Sequence, residues 1–342
     1  MLRFLNFIAL TTTNLSNPLK KRELSIDYLK STLIIIMLFS HTLRLTYVNP
    51  GPIVELYLDL CALVVFRAFI FCFGFSYQII YFKDFANKKK RILNGSIKIL
   101  LMYYICAAAS TLLFYGHSWK ISGESLFSIV IFQTIPPLSE FLLAYAGIAI
   151  VAYIAGPLII KMLDRPYILL LFTAISFLSP FVIPYQHIPN FLGIFIGTDR
   201  FLSFPVLQYI PFFLFGAYMA KHKIVFDWKI FWGCFILTAA SYAAVLLGAP
   251  INRFPPDTLW LTLPAFPVYL FYLLFKKLGT IGEPNKILIS ISSNAVIYIV
   301  LSNIWLLMMY HFNILTDSLL TAAFSFSIMM FFIYKITKTV RN

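Results

Sequence analysis

Charged side chains are scarce in this sequence: they make up 12% of the residues, whereas soluble proteins average about 25%. Among the charged residues, the acidic ones are the minority, with 13 Asp and Glu against 27 Lys and Arg. Apolar residues account for 61% of the chain, and predominantly apolar runs of about 18 residues or more recur along its length. This composition excludes a soluble globular domain and predicts a polytopic integral membrane protein.

Cysteine is also scarce, and the spacing of the four cysteines matches no metal-binding or disulfide motif. Cys61, Cys72, Cys106 and Cys234 lie in apolar segments and form no CxxC pair, so we expect small buried hydrophobic residues and neither a metal site nor a disulfide. The apolar stretch at residues 4–10 is short and precedes no small-residue cleavage pattern, so no cleavable signal peptide is predicted.

Hydropathy predicts an all-α helical bundle of about ten membrane spans. We expect a cytoplasmic N-terminal segment, residues 1–24, followed by a single transmembrane domain, residues 25–342. The predicted spans are residues 28–48, 57–82, 96–116, 139–162, 167–184, 204–220, 229–248, 258–275, 287–310 and 318–335.

The basic residues predict the orientation of these spans. With the N-terminus in the cytoplasm, 22 of the 27 Lys and Arg residues fall on the cytoplasmic side, which is the bias that membrane proteins show. The formal charge of +14 therefore reflects topology and does not indicate a nucleic-acid partner. An even number of spans also places the C-terminus inside. The five basic residues that fall elsewhere are Arg44, Arg67, Lys120, Arg200 and Arg253.

Two segments do not fit simple spanning helices. Residues 117–138 contain an apolar run, Leu126–Phe132, that is too short to cross a bilayer, and it precedes Pro136 and Pro137. We expect a re-entrant or interfacial segment there. Residues 185–203 form a long outer loop, of the kind that often carries function in a compact domain.

The first span carries the most informative pattern of the chain. Lys30 and His41 are eleven residues apart, which on an α-helix is three turns plus about 20°, so both lie on one face about 16 Å apart along the axis. Asp27 falls on nearly the same stripe. Ionisable residues inside an apolar helix mark a functional site by default. Taken singly, Lys30 could instead be a snorkelling interfacial lysine, and His41 a structural histidine.

Arg67 lies well inside the second predicted span. An unpaired arginine at that depth costs about 2.5–3.5 kcal/mol or more, so we expect an acidic partner among Asp27, Glu55 and Asp59. A structural ion pair and a substrate contact are both open for Arg67.

Other charged groups offer weaker signals. The basic run that includes Lys88 and Arg91 precedes the third span; it is either a topology determinant bound to anionic lipid or a cradle for a phosphorylated ligand. Glu140 and Asp257 are two carboxylates that could orient an imidazole.

Together these segments resemble the acyltransferase family 3 of bacterial integral membrane proteins. The family opens with a basic residue, then an Asp shortly before Arg or Lys-x10-His, and this chain reads Arg22, Asp27 and Lys30-x10-His41. Further similarities are the Phe-rich stretch Phe66–Tyr77, Lys88-x-x-Arg91 in place of Arg-x-x-Arg, and weaker ones at Pro211–Gly216 and Ser292–Tyr298.

The sequence departs from the family pattern at four places. Lysine replaces the commoner arginine at Lys30 and Lys88, and Phe73 replaces serine before Gly74. In the ninth span the frequent histidine is missing, and Ser302-Asn303 stands nearby. The related heparan α-glucosaminide N-acetyltransferase-like proteins share a similar first span, and this group stays open.

The resemblance implies an enzyme of the bacterial cytoplasmic membrane. It would transfer an acyl group, usually acetyl, from cytosolic acetyl-CoA to a hydroxyl of a surface glycan or lipid-linked saccharide, without a metal. It implies that His41 is the general base or is itself acylated, and that Asp27 positions Lys30. Lys30, Lys88, Arg91 and Arg67 would bind the donor or line its path.

Two other classes also have many spans and buried charges. A flippase or secondary transporter of glycan precursors would explain them, but leaves the Lys-x10-His face unexplained. A glycan polymerase would use arginines in large outer loops, where only Arg200 and Arg253 are available.

Overall fold

The computed structural model of this protein describes residues 23–114, 123–199, 204–281 and 284–339. Within these ranges the chain is helical, and its only β-type pairing consists of isolated bridges. The α-helices are α1 Leu24–Thr46, α2 Pro52–Ile80, α3 Phe85–Phe114, α4 Gly123–Val130, α5 Glu140–Leu163, α6 Pro166–Leu178, α7 Gly193–Ile196, α8 Val206–Lys221, α9 Trp228–Leu246, α10 Thr258–Thr262, α11 Ala265–Leu278, α12 Lys286–Ser293, α13 Ala295–His311 and α14 Leu319–Thr339.

Local chemistry sets where several of these helices begin. Asp227 caps α9, since its carboxylate accepts from the backbone amides of Lys229 and Ile230 at 2.8 and 3.0 Å. Asn285 caps α12 in the same way. Such side chains satisfy amides that have no partner within the helix. In α6, Pro166 occupies the first turn, where its missing amide costs nothing.

Six helical stretches are long and apolar enough to cross a membrane, or seven if the bent pair α12–α13 counts as one span. The chain is therefore a membrane-embedded helical protein. All ten predicted spans correspond to helices, but two of them, 57–82 and 96–116, fall in the single run Pro52–Leu113. The spans predicted at 167–184 and 204–220 correspond to the shorter helices α6 and α8. Both helices are shorter than the roughly 20 residues of a typical membrane-spanning helix.

The two irregular segments are only partly described. Residues 115–122 and 200–203 lie outside the described residues, as do Lys120, Arg200 and most of the predicted N-terminal segment 1–24. The predicted apolar run at 126–132 forms the end of α4 and the turn after it. The loop predicted at 185–203 contains 3-10 turns at Tyr185–His187 and Asn190–Leu192 before α7.

The chain divides into two compact units. The first unit comprises the described parts of Met1–Val65, Ala108–His117 and Phe275–Asn342, and the second comprises those of Phe66–Ala107 and Ser118–Leu274. In the first unit α1 packs against α12, α13 and α14. Its start approaches the chain at Gly279 so closely that a Cβ there would lie 2.7 Å from the backbone of Ser25.

In the second unit α8 packs against α5, α6 and α7, and two glycines let α8 meet α2 backbone to backbone. A Cβ on Gly74 would lie 1.8 Å from the carbonyl oxygen of Phe213, and one on Gly216 would lie 2.0 Å from that of Phe71. Small residues allow such close approach of membrane helices. Both glycines belong to segments that carry the family resemblance. The close contact of α2 with α8 is a sufficient physical reason for glycine at both positions.

Candidate functional site

One uninterrupted helix, α1, carries Asp27, Lys30 and His41. The stripe between the two basic residues holds Ile34 and Leu38, which are both 0% exposed. That face of α1 is therefore turned toward protein. The helix predicted from the sequence is confirmed, and its protein-facing stripe is where an intramembrane ionisable group can be tolerated.

Asp27 is bound by a residue from the far end of the chain. The hydroxyl of Ser292, which is 1% exposed, donates to Asp27 Oδ1 at 2.6 Å. Nearby, Ser31 donates to the carbonyl of Leu288, and the hydroxyl of Tyr28 accepts from the amide of Asn285 at 2.8 Å. These bonds fix the start of α1 against α12.

Sequence reasoning did not identify Ser292 as a partner of Asp27. The sequence offered one signal for such a partner, the serine-rich end of α12. This helix ends before Asn294, where α12 and α13 meet at 80°. The weak resemblance at Ser292–Tyr298 covers the same break, so two segments that resemble the family meet at this hydrogen bond.

The polar character of the first unit extends along α13, which packs on α1. Ser302 and Asn303 are 0% and 1% exposed, and the Ser302 hydroxyl donates to the carbonyl of Ile299 at 3.0 Å. These residues stand near the position where the family frequently has histidine. Half-buried His41 thus belongs to a unit whose helices contribute several buried polar side chains.

In the second unit Arg67 is 0% exposed. Its guanidinium donates to the carbonyl of Trp260 at 2.9 Å. The guanidinium carbon lies 4.4 Å from the centroid of the Trp260 ring and 5.2 Å from that of Tyr209. Sequence reasoning missed both rings, because cation–π partners leave no pattern in a sequence. The acidic partner expected for Arg67 stays a prediction; Asp59 lies 4.0 Å from Arg44.

The basic run lies in the first turns of α3. Lys88 and Arg91 are three residues apart and therefore share a face of that helix. Lys88 donates to the carbonyl of Ile80 at 2.7 Å, and the Lys89 ammonium lies 4.8 Å from the centroid of the Tyr153 ring. Arg91 is exposed, as a residue that meets a soluble anionic ligand must be.

The two candidate carboxylates have different surroundings. Asp257 caps α10, accepting from the amides of Trp260 at 2.7 Å and of Asn252 at 2.5 Å, so its position is explained by local structure. Glu140 begins α5, and its Oε2 is buried without a hydrogen-bond partner among the described residues. Glu140 also interacts electrostatically with Arg253 of the same unit.

No protein-family model, curated protein or solved structure matches this chain.

Proposed function

We propose that this protein is a membrane-embedded acyltransferase of the bacterial cytoplasmic membrane. It moves an acyl group, acetyl in the first instance, from cytosolic acyl-CoA to a hydroxyl of an extracytoplasmic glycan or glycolipid. The proposal includes ten spans with both termini in the cytoplasm and membership of the acyltransferase family 3 or of the related N-acetyltransferase-like group. The observation that carries it is the single protein-facing stripe of α1 with Asp27, Lys30 and His41.

The proposed chemistry takes place at His41. As a general base, its imidazole takes the proton of the acceptor hydroxyl while the oxygen attacks the thioester carbonyl. The carbon–sulfur bond then breaks, the thiolate of coenzyme A leaves, and the imidazolium returns its proton to the sulfur. In the covalent variant, a ring nitrogen of His41 attacks the thioester carbonyl, the carbon–sulfur bond breaks and the thiolate of coenzyme A leaves. The acceptor hydroxyl then attacks the acyl-imidazole, the carbon–nitrogen bond breaks, and the hydroxyl proton passes to the released imidazole.

Basic residues serve the donor in this proposal. Coenzyme A has a polyanionic head, which Lys88 and Arg91 on one face of α3 would bind through charge-assisted contacts. Lys30, about 16 Å from His41 along α1, would line the path of the thioester arm. Asp27, held by Ser292 at 2.6 Å, would keep Lys30 in place, and Arg67 would contribute its fixed charge to the donor path.

One observation favours a second candidate, a transporter of glycan precursors. The 80° break between α12 and α13 is the kind of broken helix from which transporters build substrate sites. That architecture uses broken helices in corresponding halves of the chain, and the described residues hold one such bent pair. Substrate flux without consumption of acyl-CoA would identify this function.

The decisive experiment compares the wild-type protein with His41→Ala in proteoliposomes. Radiolabelled acetyl-CoA is supplied at the cytoplasmic face, with a surface-glycan fraction as acceptor. We expect label in the glycan or on the protein for the wild type, and none for His41→Ala. The matched control is His187→Ala, which removes an exposed histidine and should keep activity. A folded His41→Ala protein with full activity would refute the mechanism.

A further inference from the structure

The second unit contains a cluster of cations and aromatic rings, and of its members the proposed reaction uses only Arg67, as a fixed charge. This arginine–aromatic cluster consists of Arg67, Phe204, Tyr209, Arg253 and Trp260. Its members come from α2, the start of α8, the loop before α10 and α10 itself. Segments far apart in sequence thus place two guanidinium groups among three large rings.

Arg67 is the most deeply buried cation of the cluster, and its guanidinium contacts the rings of Trp260 and Tyr209. It is 0% exposed, whereas Trp260 is partly exposed. The indole nitrogen of Trp260 donates to the Tyr209 hydroxyl at 3.2 Å. The guanidinium of Arg67, 4.4 Å from the Trp260 centroid, lies under the same ring. A rigid aromatic surface with a buried cation beneath it can therefore receive a ligand without reordering its side chains.

Arg253 provides a second, more accessible cation. Its guanidinium carbon lies 4.7 Å from the centroid of Phe254 and 5.6 Å from that of Phe204, and the residue is partly exposed. Arg253 and Arg67 repel each other electrostatically, and Arg253 also interacts with Glu140. Because two like charges in a largely buried site raise each other's energy, a bound anion would stabilise the pair.

Two buried polar atoms that precede Tyr209 in the chain lack hydrogen bonds among the described residues. Gln208 precedes Tyr209 and is 0% exposed; its Nε2 donates to the Ile196 carbonyl at 2.8 Å and to the Tyr185 hydroxyl at 3.3 Å. Among the described residues its Oε1 has no partner, and neither does Oγ1 of Thr198, which is 1% exposed. Buried polar atoms are normally satisfied, so these two atoms mark incompletely bonded polar positions in the chain before Tyr209.

We propose that the arginine–aromatic cluster binds an anionic saccharide, that is, a sugar unit that bears a carboxylate or a phosphate. The partly exposed ring of Trp260 packs against the apolar C–H face of the sugar. The guanidinium of Arg253 binds the anionic group through charge-assisted hydrogen bonds. The identification of this saccharide as the acyl acceptor rests on the proposed function, whereas the binding site itself does not.

Binding of defined sugars to the purified full-length protein in detergent tests the proposal by isothermal titration. The probes are a disaccharide that ends in glucuronic acid, the same disaccharide ending in glucose, and glucose 6-phosphate. We expect the wild type to bind at least one anionic probe about tenfold more tightly than the neutral disaccharide. Arg253→Gln should lose this preference, and Arg253→Lys should retain part of it because the charge remains.

The matched control is Arg165→Gln, which removes one positive charge from an exposed position of the same unit and should bind like the wild type. Equal affinity of the wild type for the acidic and neutral disaccharides, with no binding of glucose 6-phosphate, would overturn the proposal. Displacement of the sugar by coenzyme A at stoichiometric concentration would also overturn it, since the site would then belong to the donor.

Acyl-transfer assays on the same preparations separate the two proposals. If anionic sugar binds in an Arg253-dependent way but no acyl group is transferred, the saccharide site stands and the acyltransferase proposal fails. If label from acetyl-CoA reaches neutral and acidic acceptors equally, and Arg253→Gln changes neither rate, the acyltransferase stands and the identification of the bound saccharide as its acceptor fails.

Discussion

Asp27 and Ser292 are 265 positions apart in the sequence, and the hydroxyl of Ser292 donates to Asp27 Oδ1 at 2.6 Å. This bond joins the first turn of α1 to the last turn of α12. It stands next to the 80° break that separates α12 from α13. The carboxylate one turn before Lys30 is therefore fixed by an element from the C-terminal part of the chain.

Replacing Ser292 with alanine should destabilise the first unit, because a partly buried carboxylate loses a hydrogen-bond donor. Hydrogen bonds to charged groups contribute about 1.5–3 kcal/mol, and we expect a loss in that range. Thermal unfolding in detergent measures the effect.

The matched control is the neighbouring serine. Ser293 donates to the Ile289 carbonyl of its own helix at 2.7 Å, so Ser293→Ala should have a much smaller effect. Equal unfolding midpoints for the Ser292→Ala protein and the wild type would show that the bond to Asp27 is not important for stability.

The close contact of α2 with α8 predicts that neither of its glycines tolerates a side chain. The carbonyl oxygens of Phe213 and Phe71 leave no room for a Cβ at Gly74 or Gly216. Gly74→Ala and Gly216→Ala should each destabilise the protein by about 1–3 kcal/mol or more, since overpacking forces the backbones apart.

Gly233→Ala serves as the control in the same thermal unfolding assay. A Cβ at Gly233 meets nothing within 4 Å, and alanine is favoured over glycine in a helix by about 1 kcal/mol. This variant should be as stable as the wild type or more stable. Equal unfolding temperatures for all three alanine variants would show that α2 and α8 are not in direct backbone contact at Gly74 and Gly216.

The elements that the sequence predicted best are those set by local apolar runs. Helix α1 was expected at 28–48 and occupies 24–46, because a continuous apolar stretch must satisfy its backbone internally in a membrane. The number of spans was harder to predict. Hydropathy predicts a span at α8, but α8 has only 16 residues. Apolar character alone therefore does not predict the length of a helix.

The partners of the predicted site residues could not be read from the sequence. The charge at Arg67 indicated that it needs a stabilising neighbour, and acidic residues were the natural expectation. The structure places the rings of Trp260 and Tyr209 beside it, which come from segments more than a hundred residues away. Ser292 was equally hidden, because a serine among several has no distinguishing pattern until the fold brings one of them to Asp27.

The ion pair of Glu23 with Lys276 predicts a dependence of stability on pH. Burial tends to raise the pKa of Glu23, but hydrogen bonds from Lys276 at 2.8 Å and from Ser25 outweigh it and hold this pKa below its ordinary value of 4.5. A lowered pKa in the folded state stabilises the protein above pH 4.5, and this contribution is lost as the pH falls through the folded value.

Thermal unfolding between pH 7 and about pH 3 measures this effect. Glu23→Gln should show a shallower loss of stability at the acidic end than the wild type. The difference should stay below about 1 kcal/mol, since the side chain of Glu23 is 39% exposed. Glu55→Gln, which changes an exposed carboxylate, should follow the wild-type profile. Identical profiles for Glu23→Gln and the wild type would contradict the prediction.

The shared face of Lys88 and Arg91 leads to a kinetic prediction that concerns the donor. If the phosphates of acetyl-CoA bind to this face of α3, Arg91→Gln should raise the KM for acetyl-CoA about tenfold, because one charge-assisted contact is lost. The kcat should change little, since Arg91 takes no part in the bond-breaking step. The KM of the wild type should also rise with ionic strength, and that of Arg91→Gln should rise less steeply.

Lys90→Gln is the control, because it removes the same charge from an exposed position of the same run that lies about 100° around the helix from Arg91 and about 160° from Lys88. A general attraction of the donor to basic charge would raise the KM equally in both variants. A face-specific site raises it only in Arg91→Gln. A fall in kcat with unchanged KM in Arg91→Gln would instead show that Arg91 supports the fold or product release and does not bind the donor. The donor would then have to bind elsewhere.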